Sequence, residues 1–188
     1  MTQALIIIDA QNEFSARGQR PVPDHAAIIA VIGQRVEEAR RKEYPIVWIQ
    51  HFNKPEESPA FVPGTWGAEL VEGFGPKPGA GQEVIFQKNV YGAFTGTAIG
   101  QWLKDRKIEG VWIAGFYTHG CVSTTAREAI MADLAVYIDP ACTGTCDMDH
   151  PLLGHQPAAE VRRSALLQLA NMGVNIVAGK LTPAAIIG

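Results

Sequence analysis

Three residues whose side chains could together carry out hydrolysis stand at or just after short apolar runs of the sequence: Asp9, Lys88 and Cys121. A cysteine attacks a carbonyl carbon as its thiolate, and an aspartate can take the thiol proton and later give it to a leaving amine. An ammonium beside the thiol would lower the thiol pKa, as would the N-terminus of the helix that Cys121 is predicted to open. The three residues therefore predict cysteine-dependent cleavage of an amide-type bond.

The turn that precedes the cysteine, residues 115–120, offers backbone amides for the same chemistry. Two such N–H groups can point at the oxyanion that develops during acyl transfer. Stabilisation of that oxyanion is often the largest electrostatic contribution to catalysis. Taken singly, each side chain has an ordinary structural interpretation: packing for Cys121, loop organisation for Asp9 and a solvated surface position for Lys88. The predicted active site therefore depends on the three residues occurring together.

The elements that would bring these residues together alternate between strands and helices. Continuous apolar, β-branched runs are typical of strands buried on both faces. The alternation predicts a parallel sheet covered by helices on both faces, in a single domain spanning residues 1–188. Ligands bind at the carboxyl ends of such strands, where the three residues stand. The predicted strands are residues 4–8, 46–49, 84–86, 111–114, 134–138 and 174–177, and the predicted helices are residues 25–39, 96–104, 121–131 and 158–172.

The composition favours a globular protein without nucleic-acid or membrane partners. Of the 188 residues, 47% are apolar, and the formal net charge is −3 with no block of like charge. A nucleic-acid-binding surface would require clustered lysines and arginines. The apolar run of residues 4–8 is too short for a signal peptide or a membrane span. We therefore expect a cytoplasmic protein in which Cys121, Cys142 and Cys146 are free thiols.

Three segments occur in an order and at a spacing that indicate a family: residues 6–14 (IIIDAQNEF), 88–97 (KNVYGAFTGT) and 115–129 (GFYTHGCVSTTAREA). They resemble three segments of the isochorismatase-like cysteine hydrolase family, in its amidohydrolase branch. Those segments read hydrophobic-Asp-x-Gln-Asn-Asp/Glu-Phe, Lys-x-x-Tyr-Ser-Ala-Phe-x-Gly-Thr and Gly-x-x-Thr-x-x-Cys-Val-x-x-Thr-Ala-Arg-x-Ala. The resemblance covers nearly the whole chain.

The resemblance implies a three-layer, Rossmann-like α/β fold with a six-stranded parallel sheet. It implies a catalytic triad of Asp9, Lys88 and Cys121, and a cis peptide bond before Tyr117. It also implies an oxyanion hole formed by the backbone amides of Tyr117 and Cys121. Because members of the family are commonly homo-oligomers, we expect a homodimer or homotetramer that acts on a small-molecule substrate.

Departures from the family pattern indicate whether a metal ion is bound and which type of bond is cleaved. Nicotinamidases of this family carry an Asp-x-His pair and a further His that bind a metal ion, whereas the matching place here reads Gln50-His51-Phe52-Asn53. The resemblance thus implies neither a metal nor another cofactor. Isochorismatases, which hydrolyse a vinyl ether, generally lack the cysteine, so its presence implies amide, ureido or carbamoyl chemistry. The alternatives are an isochorismatase-type ether hydrolase and a non-catalytic family member that acts as a binding subunit.

Several residues in or beside the motif loops are candidates for substrate binding. Aromatic rings in these loops can line a pocket for a flat substrate, although each alone is more often simple packing. His51 and Asn53, which follow the second predicted strand, can donate hydrogen bonds to a substrate carbonyl. Alternatively, they can organise the loop after that strand. The predicted substrate-binding residues are Phe14, His51, Asn53, Trp66 and Tyr91, with Tyr117 as a further aromatic.

The segment from Cys142 to Cys146 has the composition of a metal site. Two cysteines four residues apart, followed by Asp147, Asp149, His150 and His155, could bind zinc. The segment is short and lacks a second ligand pair, so a solvated or subunit-contacting loop is the preferred interpretation.

Overall fold

The core of the fold is a parallel β-sheet. The computed structural model describes residues 1–181. Six strands form the main path of the sheet: β1 Gln3–Ile8, β2 Ile46–His51, β3 Glu83–Lys88, β4 Gly110–Phe116, β5 Ala135–Ile138 and β9 Asn175–Ile176. Their spatial order is β3-β2-β1-β4-β5-β9, and every pairing is parallel.

Three shorter strands lie outside this path. The two-residue strand β6, Thr143–Gly144, pairs in parallel with the end of β4. Strands β7, Met148–His150, and β8, Gly154–Gln156, form a separate antiparallel hairpin. The segment from Cys142 to Gln156, predicted as irregular, thus contains short ordered elements.

Four helices complete the three layers: α1 His25–Arg41, α2 Ile99–Asp105, α3 Ser123–Met131 and α4 Ala158–Asn171. One apolar cluster joins one face of the sheet to α2, α3 and α4, and a second joins the other face to α1. Along β1, Ile6 and Ile8 belong to the first cluster while Leu5 and Ile7 belong to the second. Because successive side chains point to opposite faces, burial on both faces requires a continuous apolar run.

The predicted α/β fold with a six-stranded parallel sheet is confirmed. All six predicted strands form, although the last is shortened from residues 174–177 to β9. The helix predicted for residues 121–131 begins two residues later than predicted, at Ser123. Residues 182–188 of the predicted single domain lie outside the described residues. Within residues 1–181, no helix is both long and apolar enough to cross a bilayer.

The carboxyl ends of β1 and β4 approach each other closely, and this positions the site. Gly115 has a φ of +123°, and a Cβ there would lie 1.9 Å from the carbonyl oxygen of Ile8. Only glycine satisfies both conditions, since other residues rarely adopt that φ. The chain directly after β1 and the turn after β4 are thereby held side by side.

Candidate active site

The side chains of Asp9, Lys88 and Cys121 meet at the carboxyl edge of the sheet. Lys88 Nζ donates to Asp9 Oδ2 at 2.8 Å and to Cys121 Sγ at 3.3 Å. The side chains of the lysine and the aspartate are 0% and 1% exposed, so their ion pair is removed from water. The other carboxylate oxygen, Asp9 Oδ1, is buried and has no hydrogen-bond partner within residues 1–181. That oxygen is therefore available to accept a proton.

Two further acceptors fix the position of the Lys88 ammonium. Nζ lies 3.1 Å from the carbonyl oxygen of Val90 and 3.2 Å from His51 Nδ1. Asn53 Nδ2 donates to the carbonyl oxygen of Ala60, so Asn53 Oδ1 faces His51 Nε2, at 2.8 Å, as an acceptor. This assigns the imidazole proton to Nε2 and leaves Nδ1 to accept from the ammonium.

The thiol is held in its neutral form. Burial raises the pKa of the Cys121 thiol well above its ordinary range, and the Asp9 carboxylate raises it further, while Lys88 lowers it. Burial alone would lower the pKa of Lys88, but Asp9 and Cys121 keep that pKa above its ordinary value. Lys88 thus lowers the thiol pKa as the sequence predicts, but burial and the Asp9 charge outweigh its effect, so the net shift is upward.

Two imidazoles and one phenol at the site have pKa values shifted in the direction that favours their neutral forms. Burial lowers the pKa of His51, with the Lys88 charge as a second cause, and burial also lowers the pKa of His119. Burial raises the pKa of the Tyr117 hydroxyl, and Cys146 raises it further.

The nucleophile stands in a tight turn between β4 and α3. The peptide bond between Phe116 and Tyr117 is cis, as the resemblance implied. Residues Thr118–Val122 form an irregular turn with non-helical backbone at Gly120, and the carbonyl oxygen of Tyr117 accepts from the amides of Gly120 and Val122. Cys121 thus precedes α3 by two residues and does not open it, which corrects the predicted position. Tyr117 directly precedes this turn, and Cys121 lies within it.

Asp9 is positioned by the sharp change of direction after β1. Its φ is +51°, and its amide donates to the carbonyl oxygen of Ile49 at 3.0 Å. The buried side chain of Gln11 then joins three segments. Its Nε2 donates to the carbonyl oxygens of His51 and Ala68, and its Oε1 accepts from the amide of His51. Gln11 therefore holds the ends of β1 and β2 in register at the site.

The loop that follows Lys88 is held by α3. The Glu128 carboxylate accepts from the amides of Phe94 and Thr95, at 2.9 and 3.1 Å, and from the Thr95 hydroxyl. A Cβ on Gly92 would lie 2.2 Å from Glu128 Oε1, so only glycine lets this carboxylate reach the loop. The helix that follows the nucleophile thus also positions the segment that follows the lysine.

A cavity of about 410 Å³ opens above the three side chains. Its size lies within the range of small-molecule sites. Both aromatic rings and polar groups face it. The lining residues are Asp9, Phe14, Arg20, His51, Asn53, Phe61, Asn89, Val90, Tyr91, Tyr117, His119, Cys121 and Cys146.

The predicted substrate-binding residues divide into two groups. Phe14, His51, Asn53 and Tyr91 line the cavity. Trp66 does not line it: its side chain is 43% exposed, and the Arg17 guanidinium carbon lies 4.7 Å from its ring centroid.

The structure also revises the predicted role of His51 and Asn53. Both nitrogens of the imidazole are engaged, one by Lys88 and the other by Asn53, and the amide of Asn53 is engaged at both ends. These side chains therefore orient Lys88, and the hydrogen bonds predicted to a substrate carbonyl would compete with contacts already made.

Several lining residues were not predicted from the sequence as substrate contacts. Arg20, Phe61 and Asn89 lie in loops after the strands, and His119 and Cys146 lie beside the nucleophile turn. The general rule that loops at the carboxyl edge of a parallel sheet face the ligand could have indicated them. It does not distinguish a lining residue from its neighbours, because that depends on side-chain direction.

The cysteine segment after β5 does not form a metal cluster in the described part of the chain. Cys142 is buried in the core, where burial raises the pKa of its thiol to about 12. Cys146 lines the cavity, and His155 Nδ1 lies 2.9 Å from Asp149 Oδ1 on the hairpin. Across residues 1–181, no group of three or more His, Cys, Asp or Glu side chains is arranged to hold a metal ion.

Comparison with known proteins identifies clear relatives. Residues 3–175 match the family model described as the isochorismatase domain. A secreted isochorismatase effector of Verticillium dahliae is 31% identical over 94% of this chain and 87% of its own length. A nicotinamidase/pyrazinamidase of Mycobacterium tuberculosis is 31% identical over 72% of this chain and 83% of its own length. The crystal structure of a pyrazinamidase of Pyrococcus horikoshii in complex with zinc has a TM-score of 0.79 and 26% identity, and the match covers 95% of this chain and 100% of that one.

Proposed function

The chain belongs to the isochorismatase family of hydrolases, and from this membership we propose that it cleaves a C–N bond of amide, ureido or carbamoyl type in a small molecule, with Cys121 as the nucleophile. One observation carries the proposal: the Lys88 ammonium contacts both the Asp9 carboxylate and the Cys121 sulfur, at the base of a small cavity. Relatives whose names describe amide hydrolysis support the bond type.

In the first half-reaction, Asp9 takes the thiol proton from Cys121 as the sulfur attacks the carbonyl carbon of the substrate. The negative charge that leaves sulfur passes to the carbonyl oxygen, where the amides of Tyr117 and Cys121 donate hydrogen bonds to it. Asp9 then gives the proton to the leaving nitrogen, the C–N bond breaks, and ammonia or an amine departs. The acyl group remains on Cys121 as a thioester.

In the second half-reaction, Asp9 takes a proton from water as the water oxygen attacks the thioester carbonyl. Collapse of the resulting intermediate breaks the C–S bond, and the thiolate leaves beside Lys88. The proton on Asp9 returns to the sulfur, which restores the resting thiol and releases the carboxylic or carbamic acid. Lys88 stays an ammonium throughout, and its raised pKa fits that role.

A neutral resting thiol is compatible with this scheme. Because the pKa of Cys121 is raised, the thiolate forms only as the proton passes to Asp9 and the carbonyl is attacked. The enzyme then holds no exposed, oxidisable thiolate between turnovers.

The residues present do not fit the metal that the zinc complex of the pyrazinamidase carries. Gln50, near the end of β2, and Asn53, just after it, are neutral amides. His51 uses Nδ1 to accept from an ammonium and Nε2 to donate to Asn53, so neither ring nitrogen offers a lone pair to a cation. No step of the proposed mechanism requires a metal ion.

A second candidate function is hydrolysis of an ether bond. The relative named a secreted isochorismatase effector favours it. Ether hydrolysis would need an acid such as Asp9, but it would not need a nucleophilic sulfur. Dependence on Cys121 therefore separates the two functions.

The proposal is tested by ammonia release from a panel of small amides, ureido acids and carbamoyl compounds, in the presence of a chelator. We expect release by the unmodified protein, and a fall of roughly 1,000-fold or more in Cys121→Ala, because no other group supplies the nucleophile. Cys142→Ala is the matched control, since it removes a thiol that does not line the cavity. Full turnover by Cys121→Ala would refute the cysteine mechanism.

A further inference from the structure

Arg20 supplies a positive charge at the cavity that no carboxylate of the described chain balances. It lines the cavity, and its charge lowers the pKa of the neighbouring Tyr117 hydroxyl in opposition to burial. Within residues 1–181, no carboxylate oxygen lies within 4 Å of its guanidinium group, and the group makes no hydrogen bond.

The backbone of Arg20 is hydrogen-bonded at both its amide and its carbonyl oxygen, and its exposed side chain lines the cavity. Its amide donates to the carbonyl oxygen of Glu13 at 3.1 Å. Its own carbonyl oxygen accepts from the Tyr117 hydroxyl, also at 3.1 Å. The amide of Tyr117 belongs to the proposed oxyanion hole, so the same residue links the cation to the reacting carbonyl.

Among the Asp, Glu, Lys and Arg side chains, those that line the cavity and Lys88 beneath it together carry one excess positive charge. The Asp9 carboxylate is matched by the Lys88 ammonium. The pKa shifts of His51, His119, Tyr117 and Cys121 all favour the neutral forms of these side chains. One positive charge, that of Arg20, is left over.

We propose that Arg20 is a specificity-determining residue that binds a carboxylate of the substrate, so that the natural substrate is a small amide-type compound bearing an acidic group. This inference rests on the proposed function for the position of the cleaved bond. The planar guanidinium fork pairs with a carboxylate through two hydrogen bonds. A single carboxylate also balances the single excess charge, whereas a phosphate monoester carries a charge of about −2.

A second arginine in the same loop provides a matched control. The Arg17 guanidinium lies over the exposed ring of Trp66 and does not line the cavity. Replacing either arginine with glutamine removes the same charge from the same segment. Only the Arg20 change removes it from the cavity.

The test compares substrates that differ only in charge. Ammonia release is measured for succinamate and for its neutral methyl ester, with the unmodified protein, Arg20→Gln and Arg17→Gln. We expect kcat/KM for succinamate to fall by roughly 10- to 100-fold in Arg20→Gln, as for a lost hydrogen-bonded charge pair. The kcat/KM for the methyl ester should fall much less in Arg20→Gln than that for succinamate, and Arg17→Gln should retain the preference for succinamate.

A binding measurement separates failure of this inference from failure of the proposed function. Calorimetric titration with malonate, succinate and glutarate, which contain no amide, requires no turnover. Binding that is lost in Arg20→Gln and kept in Arg17→Gln supports the carboxylate site, even if no amide is cleaved, in which case only the proposed hydrolysis fails. Binding equal in Arg20→Gln and the unmodified protein, or no binding of any of the three acids to the unmodified protein, overturns the inference while leaving hydrolysis of neutral amides intact.

Discussion

At the scale of single residues, Cys121 lies between a carboxylate and an ammonium, and both determine its reactivity. After burial, the Asp9 charge does most to raise the thiol pKa, and Lys88 opposes it. A thiol protonated at rest should react slowly with alkylating agents at neutral pH. In the unmodified protein, alkylation should accelerate only as pH rises above the ordinary thiol pKa of about 8.5.

Replacing Asp9 with asparagine should change thiol reactivity and catalysis in opposite directions. The substitution removes the negative charge beside the sulfur and leaves Lys88 without its ion-pair partner, so the thiol pKa should fall. We expect faster alkylation of Cys121 by iodoacetamide at pH 7 in Asp9→Asn, measured by peptide mass spectrometry. Amide hydrolysis should fall by roughly 100-fold or more, because the general base is lost.

The blank for this experiment is Cys121→Ala, which reports alkylation of the other thiols. Slower alkylation in Asp9→Asn, or hydrolysis that persists in it, would contradict the assignment of Asp9 as the base.

The sequence predicted which residue types meet at the site but not their protonation. The order and spacing of Asp9, Lys88 and Cys121 could be recognised in the chain. Whether the thiol is desolvated, and which nitrogen of His51 carries the proton, depend on burial and on partners far apart in the sequence, such as Ala60.

At the scale of elements, α3 positions two parts of the site at once. The helix follows the nucleophile turn, and its Glu128 holds the loop after β3 through three hydrogen bonds. That loop contributes the Val90 carbonyl to the Lys88 ammonium. A substitution at Glu128 should therefore alter the position of Lys88, although Glu128 does not line the cavity.

We expect Glu128→Ala to lower both stability and activity. Loss of three hydrogen bonds to a carboxylate should reduce the free energy of unfolding by roughly 2 kcal/mol, as measured by urea denaturation. The loop amides of Phe94 and Thr95 would lose their acceptor, so the position of Lys88 should become less restricted and kcat should fall while KM changes little.

Glu72→Ala serves as the control, because Glu72 is exposed and makes no hydrogen bond or ion pair in the described part of the chain. Unchanged stability and activity in Glu128→Ala would show that the loop does not depend on α3.

Strands were easier to predict than the start of α3. The apolar runs of β1 and β4 are long and uninterrupted because both faces are buried, so periodicity alone located them. The irregular turn Thr118–Val122 has no comparable signal in local sequence. The hairpin of β7 and β8 was missed because its strands are short and largely exposed.

At the scale of the whole molecule, the fold follows from the alternation of strands and helices, and the family from three motifs. Three expectations stay predictions, the first being the single domain over residues 1–188. The homodimer or homotetramer is implied only by the resemblance. The cytoplasmic location also stays a prediction, since one relative at 31% identity is named a secreted effector.

The central claim is that hydrolysis proceeds through an acyl group carried on Cys121. It is tested most directly by rapid acid quenching of the protein during turnover of an amide that it hydrolyses, followed by intact-mass and peptide mass spectrometry. We predict an adduct with the mass of the acyl group on the peptide that contains Cys121, removable by hydroxylamine and absent from Cys121→Ala. Turnover at the unmodified rate in Cys121→Ala, with no adduct in either protein, would contradict the claim.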